Sequence, residues 1–191
     1  MRRLGFMLIL LLASATTLAD DFVDGVTAYD RGDYATAFSK WKPLAEQGDA
    51  DAQCSLGWMY FNGKGVPQDD KQAVYWYRKG AEQGNAWAQY NLGLMYRLGQ
   101  GVVRDHRQAI YWYNQAAEQG LTSAQYNLGL MYNVGKGVPR DYVQAYMWWS
   151  LSAAQGNEGG RRKLDILAEK MTHEQIAEAQ RLAREWMPSL D

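Results

Sequence analysis

A 36-residue pattern that returns three times in register constrains this chain more than any other feature, because one such unit cannot bury its own apolar face and must stack on its neighbours. Ala52-Gln53-x-x-Leu56-Gly57-x-Met59-Tyr60 returns as Ala88-Gln89-x-x-Leu92-Gly93-x-Met95-Tyr96 and as Ala124-Gln125-x-x-Leu128-Gly129-x-Met131-Tyr132. The remainder keeps step. Gly63-x-Gly65-Val66, Asp69, Ala73, Trp76, Ala81 and Gly84 have counterparts at Gly99-x-Gly101-Val102, Asp105, Ala109, Trp112, Ala117 and Gly120. They return again at Gly135-x-Gly137-Val138, Asp141, Ala145, Trp148, Ala153 and Gly156. Full repeats therefore occupy 49–84, 85–120 and 121–156, and Asp33, Ala37, Ala45, Gln47 and Gly48 carry the register back into a degenerate repeat at 20–48.

Each repeat predicts two helices. Over 50–61, Ala52, Leu56, Gly57 and Tyr60 share one face, and over 69–83 Ala73, Trp76, Tyr77, Gly80 and Ala81 do the same, so the two stripes bury each other. Asn62-Gly63-Lys64-Gly65-Val66-Pro67 breaks the first helix, and Asp69 with Gln72 opens the second as a capping box, as do Asp105 with Gln108 and Asp141 with Gln144. Gly57, Gly93 and Gly129 in mid-helix each cost roughly 1 kcal/mol against Ala, which makes sense where a neighbouring helix comes too close for a Cβ. Past Gly156 the pattern decays into a C-terminal cap at 157–191. Leu164, Leu167, Ala168 and Met171 suggest one helix there, and Thr172 with Gln175 opens another with Ile176, Ala179, Ala183 and Trp186 on one face and its charges elsewhere.

These residues resemble the Sel1-like repeat, a relative of the tetratricopeptide repeat with a longer loop between its helices. The resemblance covers 49–156 almost position for position and 20–48 in part. It implies an all-α fold, an α/α solenoid of helix-turn-helix repeats, serving as a protein-interaction scaffold in an exported bacterial protein. A cysteine-rich branch of the family staples each helix pair with a disulfide. This chain departs from it, since Cys54 is alone and Tyr90 and Tyr126 stand at the equivalent positions.

Residues 1–19 read as a signal peptide: Arg2 and Arg3, an apolar run from Leu4 to Leu12, then small residues ending at Ala19. That run is about half of the ~20 residues a membrane span needs. Its removal takes two bases and no acid from a chain with 20 Lys+Arg and 21 Asp+Glu, leaving a net charge of −3. Such a protein has no electrostatic reason to seek nucleic acid or anionic lipid. The expected location is the periplasm, or beyond it, with no membrane span in the mature chain.

Chemistry-bearing constellations are sparse. One Cys and two His do not make the usual zinc site, and no cofactor motif is present. The Gly-x-Gly turns follow no strand and precede no Gly-Lys-Ser/Thr, so they read as helix connections, not phosphate cradles. Ser39-x-x-Lys42 matches the serine-lysine start of β-lactam-recognising hydrolases but lacks that family's companion motifs. His106, in the first turn of a second helix, is expected to be solvated, and Cys54 to pack as a small apolar group.

The first helices are apolar on two sides, and a helix of that kind has something else to touch. In tetratricopeptide-type arrays the face opposite the core stripe lines a concave groove, so the resemblance implies a partner-binding surface of Trp58, Phe61, Trp87, Tyr90, Leu94, Arg97, Tyr126 and Leu130. Aromatic anchors with an Arg are the side chains that dominate binding hot spots. Tyr75, Tyr111 and Met147 offer a second surface on the second helices. The function expected is a non-catalytic scaffold or adaptor holding a protein or peptide. Binding of cell-wall glycan such as peptidoglycan is the alternative, and a β-lactam-recognising hydrolase a third.

Overall fold

A computed structural model describes residues 20–186; the export segment expected at 1–19 lies outside them. All regular structure among the described residues is helical: α1 over 20–30, α2 (Tyr34–Glu46), α3 (Ala50–Asn62), α4 (Asp70–Glu82), α5 (Ala86–Leu98), α6 (His106–Glu118), α7 (Thr122–Val134), α8 (Tyr142–Ala154), α9 (Glu158–Ala168) and α10 (His173–Trp186). This is the all-α helical-repeat solenoid expected. The chain divides into two compact units, one ending at Ala88 and the other beginning at Gln89. None of the described helices is long and apolar enough to cross a membrane.

In the first unit, Ala37, Trp41 and Leu44 of α2 meet Ala52, Leu56 and Met59 of α3 and Trp76 of α4 in one core. In the second, Ala109 and Tyr113 of α6, Ala124 and Leu128 of α7, and Met147, Trp148 and Leu151 of α8 form another. Second helices start where a carboxylate offers an acceptor. Asp69 Oδ1 takes the amides of Lys71 and Gln72, Asp105 Oδ1 those of Arg107 and Gln108, and Asp141 Oδ1 that of Gln144. First helices carry caps of their own that the sequence reading passed over. Asp49 accepts from Ala52 at 2.7 Å, Asn85 from Ala88 at 2.8 Å and Asn157 from Gly160 at 2.7 Å, whereas Leu121 at the equivalent position offers no side-chain cap.

The turn glycines have a structural task. Gly63 and Gly135 end α3 and α7 in the left-handed region, with φ of 63° and 74°, which a residue without Cβ adopts at no steric cost. The next glycine lets the loop lie on the start of an earlier second helix: a Cβ at Gly65 would meet the Tyr34 carbonyl at 2.5 Å, and one at Gly137 the His106 backbone at 2.7 Å. That space is filled by protein, in keeping with helix connections and not anion cradles.

The mid-helix glycines do accommodate a close neighbour, and it is an aromatic ring of the paired helix. A Cβ at Gly57 would strike the Tyr77 ring, one at Gly93 the Tyr113 ring at 2.8 Å, and one at Gly129 the Trp149 indole. The degenerate repeat keeps this device in shifted form. Trp41, 36 residues before Tyr77, lies over Gly25, because the connection 31–33 is four residues shorter than 63–69 and moves the glycine by one turn. The same offset appears in the indole bonds: Trp149 Nε1 donates to the Tyr126 carbonyl at 3.1 Å and Trp41 Nε1 to that of Phe22 at 3.2 Å.

At the C-terminus α9 stands where a fourth first helix would, with Gly160 buried 36 residues after Ala124. It ends at Ala168, so Met171 packs from the turn beyond and not from the helix face expected. Thr172 and Gln175 close a reciprocal capping box, Thr172 N donating to Gln175 Oε1 at 3.0 Å and Gln175 N to Thr172 Oγ1 at 3.3 Å. Ala179 and Ala183 are buried, while Glu174, Glu178, Arg181, Arg184 and Glu185 face solvent.

Candidate partner-binding face

The residues expected to line a groove do not share one environment. In the first unit, Trp58 is half-buried and meets Tyr29 edge-on at 5.2 Å, Phe61 is half-buried, and Trp87 stands 54% exposed. In the second unit, Tyr90 tilts onto Tyr113 at 5.7 Å, and its hydroxyl accepts from Asn127 Nδ2 at 3.4 Å. Tyr126 lies beside Gly159 and against the cluster of Ala145, Trp149 and Leu167. Leu94 is half-buried. Tyr90 and Tyr126 therefore spend part of their surface on packing between neighbouring helices.

Arg97 and Leu130 do come together, on the wall of a cavity of about 410 Å³ at the C-terminal ends of α5 and α7. Arg97 is held by its Nε, which donates to the Tyr113 hydroxyl at 3.3 Å and leaves the amino ends of the guanidinium for a ligand. Burial pushes the Tyr113 phenol up to about 12, with Arg97 pulling the other way. Arg104, His106 and Lys136 complete the polar wall, and Leu98, Met131 and Val134 the apolar one. His106 is thus half-buried, with its Nδ1 out of water, and not solvated as the sequence suggested.

Leu98 and Val134 are the residues the sequence reading missed, 46% and 56% exposed on the last turns of α5 and α7. A signal was available: they occupy the repeat position held by Asn62, so two copies place a large apolar side chain where the first has an amide.

The second surface expected breaks up. Tyr75 and Tyr111 are exposed, each set edge-on against the tryptophan that follows it, at 4.9 Å. Met147 is only 4% exposed, because the C-terminal helices shield that face of α8 in a core that includes Ala183. A further cavity of about 410 Å³ beside α10 is walled by Trp148, Trp186, Tyr132, Asn114, Gln144 and Glu118 among others.

Ser39 Oγ donates to the Thr36 carbonyl at 2.8 Å and Lys42 lies 4.0 Å from Glu46, so each has a local partner on α2. Among the described residues no cluster of three His, Cys, Asp or Glu could hold a metal ion.

The family model for the Sel1 repeat matches residues 50–85, 88–121 and 122–157. No curated protein matches the chain. Among solved structures, a protective antigen present in uropathogenic Escherichia coli strains and displaying an SLR fold is similar over 92% of this chain, with 36% identity and a TM-score of 0.83. This chain spans only 38% of that one. A Sel1 repeat protein from Oxalobacter formigenes is similar over 87% of this chain and 68% of its own, with 28% identity and a TM-score of 0.75.

Proposed function

The chain belongs to the Sel1 repeat family, and on that premise we propose that it is an exported, non-catalytic scaffold that captures a protein or peptide partner on the face presented by its first helices. Sel1 repeats commonly serve as protein-interaction scaffolds. The observation that carries the reading is apolar surface kept in water on these helices: Trp87 in the first unit, Leu98 and Val134 in the second, the latter two beside a cavity. Exposing such side chains has a cost, which a partner that covers them removes. Export rests on the N-terminal sequence, and N-terminal sequencing of the envelope protein should begin at Asp20.

A photo-cross-linking amino acid placed at Trp87 or Leu98 in native cells is expected to trap one defined partner. Val134→Ser should weaken trapping at Leu98 while the helical signal is kept. Labelling no stronger than at an exposed position of α10 such as Arg184 would remove the proposal.

A second reading, cell-wall glycan, is favoured by the cavity where Trp148, Trp186 and Tyr132 adjoin Asn114 and Gln144, since rings with amides suit sugars. It ranks lower because Trp148 and Trp186 meet edge-to-face at 4.9 Å, leaving no broad stacking platform. Soluble muropeptides that shift the tryptophan emission would support it.

A further inference from the structure

The cavity at the ends of α5 and α7 has a charge that the molecule as a whole does not. Its wall includes Arg97, Arg104 and Lys136, with His106 beside them, and no Asp or Glu. Among the described residues none of these three cations forms an ion pair, whereas Lys40, Lys42 and Arg181 each pair with a carboxylate. In a chain of net charge −1, unpaired cations gathered on one wall repel each other, and an incoming anion relieves that repulsion. The same wall has an apolar side, with Leu98 and Val134 about half exposed and Leu130 between helix and cavity.

We propose that this cavity receives an acidic segment of a partner polypeptide. A carboxylate engages Arg97, Arg104 and Lys136, and a neighbouring apolar side chain covers Leu98, Leu130 and Val134. The inference rests on the scaffold reading above and names the chemistry of its guest. Arginine presents a planar fork that grips a carboxylate through two parallel hydrogen bonds, and the cavity excludes part of the water that would screen them. A polypeptide fits better than a lone anion because phosphate would use the cations and leave Leu98 and Val134 wet. An anionic membrane fits less well because exposed acids such as Glu174, Glu178 and Glu185 populate the surface of the same unit.

The test uses the full mature chain and three dye-labelled heptapeptides, Glu-Leu-Glu-Leu-Glu-Leu-Glu and its counterparts with Gln or Lys for every Glu, read by fluorescence anisotropy. The Glu peptide is expected to bind roughly tenfold or more tightly than the Gln peptide, and to weaken at 0.5 M salt. Arg104→Gln with Lys136→Gln, both in exposed connections, should erase that preference without moving the melting transition. Leu98→Ser with Val134→Ser should weaken the Glu and Gln peptides alike. Equal binding of all three peptides, no binding of any, or a Glu preference untouched by the double charge variant would overturn the proposal. So would phosphatidylglycerol vesicles that outcompete the Glu peptide and lose their grip in the same variant. Trapping at Trp87 or Leu98 that persists alongside any of these results sinks only the acidic guest; failure of both sinks the scaffold reading beneath it.

Discussion

At the scale of single residues, the repeat is built around a ring set on a glycine. Tyr77 and Tyr113 are wholly buried, and each occupies the volume a Cβ would need at Gly57 or Gly93. Gly93→Ala gains about 1 kcal/mol of helix propensity, but overpacking a fixed core typically costs 1–3 kcal/mol. The Tyr113 ring has little room to yield, held by Arg97 at its hydroxyl and by Tyr90 at its side. Gly93→Ala should therefore lower the urea midpoint, and a raised midpoint would contradict this packing. Burial raises the pKa of both phenols above the ordinary value of about 10, Tyr113 to about 12 and Tyr77 further. The protonated forms are favoured by folding, so this contribution is intact below pH ~10 and is lost as pH rises toward the folded-state values. Stability should fall above pH ~10 by roughly 1.4 kcal/mol per pH unit for each buried phenol. Tyr77→Phe should flatten that fall in urea titrations repeated from pH 9 to 12; an unchanged slope would place the titration elsewhere.

At the scale of elements, helix ends are joined by a glutamine relay that the repeat pattern displayed without explaining. Gln53 is buried, donates to the Ala45 carbonyl at 3.0 Å and accepts from Gln83 at 2.7 Å. Gln125 repeats the arrangement, donating to Ala117 at 3.4 Å and accepting from Gln155 at 2.9 Å. One amide thus ties the start of a first helix to the ends of two second helices. Gln125→Ala removes both bonds and opens a gap, so it should cost about 1–3 kcal/mol. Its hydrogen-exchange signature is opening at the α6 and α8 C-termini, and a uniform loss across the unit would argue against a local tie. The helix pairs themselves were legible because the apolar stripes, the Asp caps and the breaking glycines agree. The first helix of the degenerate repeat was not, since a four-residue shortening at 31–33 shifts Gly25 out of the register that Asp33, Ala37, Trp41 and Ala45 keep. The binding face was legible in part. Spacing puts Tyr90, Arg97, Tyr126 and Leu130 on one side of their helices, but whether a ring packs on a neighbour depends on what that neighbour presents. Asn127 and Gly159 claim Tyr90 and Tyr126, whereas the ends of α5 and α7 leave Leu98 and Val134 uncovered.

At the scale of the whole molecule, a run of similar units leaves an apolar stacking face on its last one that other structure must cover. The second unit solves it with two helices of different design. α9 imitates the next first helix, down to the Asn157 cap and the buried Gly160, whose Cβ would meet the Trp149 carbonyl at 3.2 Å. α10 then departs from the pattern: Ala183 joins the core of Met147, Trp148 and Leu151, Trp186 meets Trp148, and Arg181 bridges Glu178 and Glu185 on the outside. Those exposed ion pairs add little to stability; their use is a wetted outer surface that does not invite another repeat. Ending the chain at Met171 should therefore uncover Met147 and Trp148, with a loss on the order of 3–6 kcal/mol from their burial. It should also shift tryptophan emission to longer wavelength and produce concentration-dependent self-association in analytical ultracentrifugation. The peptide cavity at Arg97 and Lys136 lies on other elements, so the truncated chain at low concentration should still distinguish acidic from neutral peptides. A truncated chain that stays monomeric with unchanged emission would mean that α10 does not close the array.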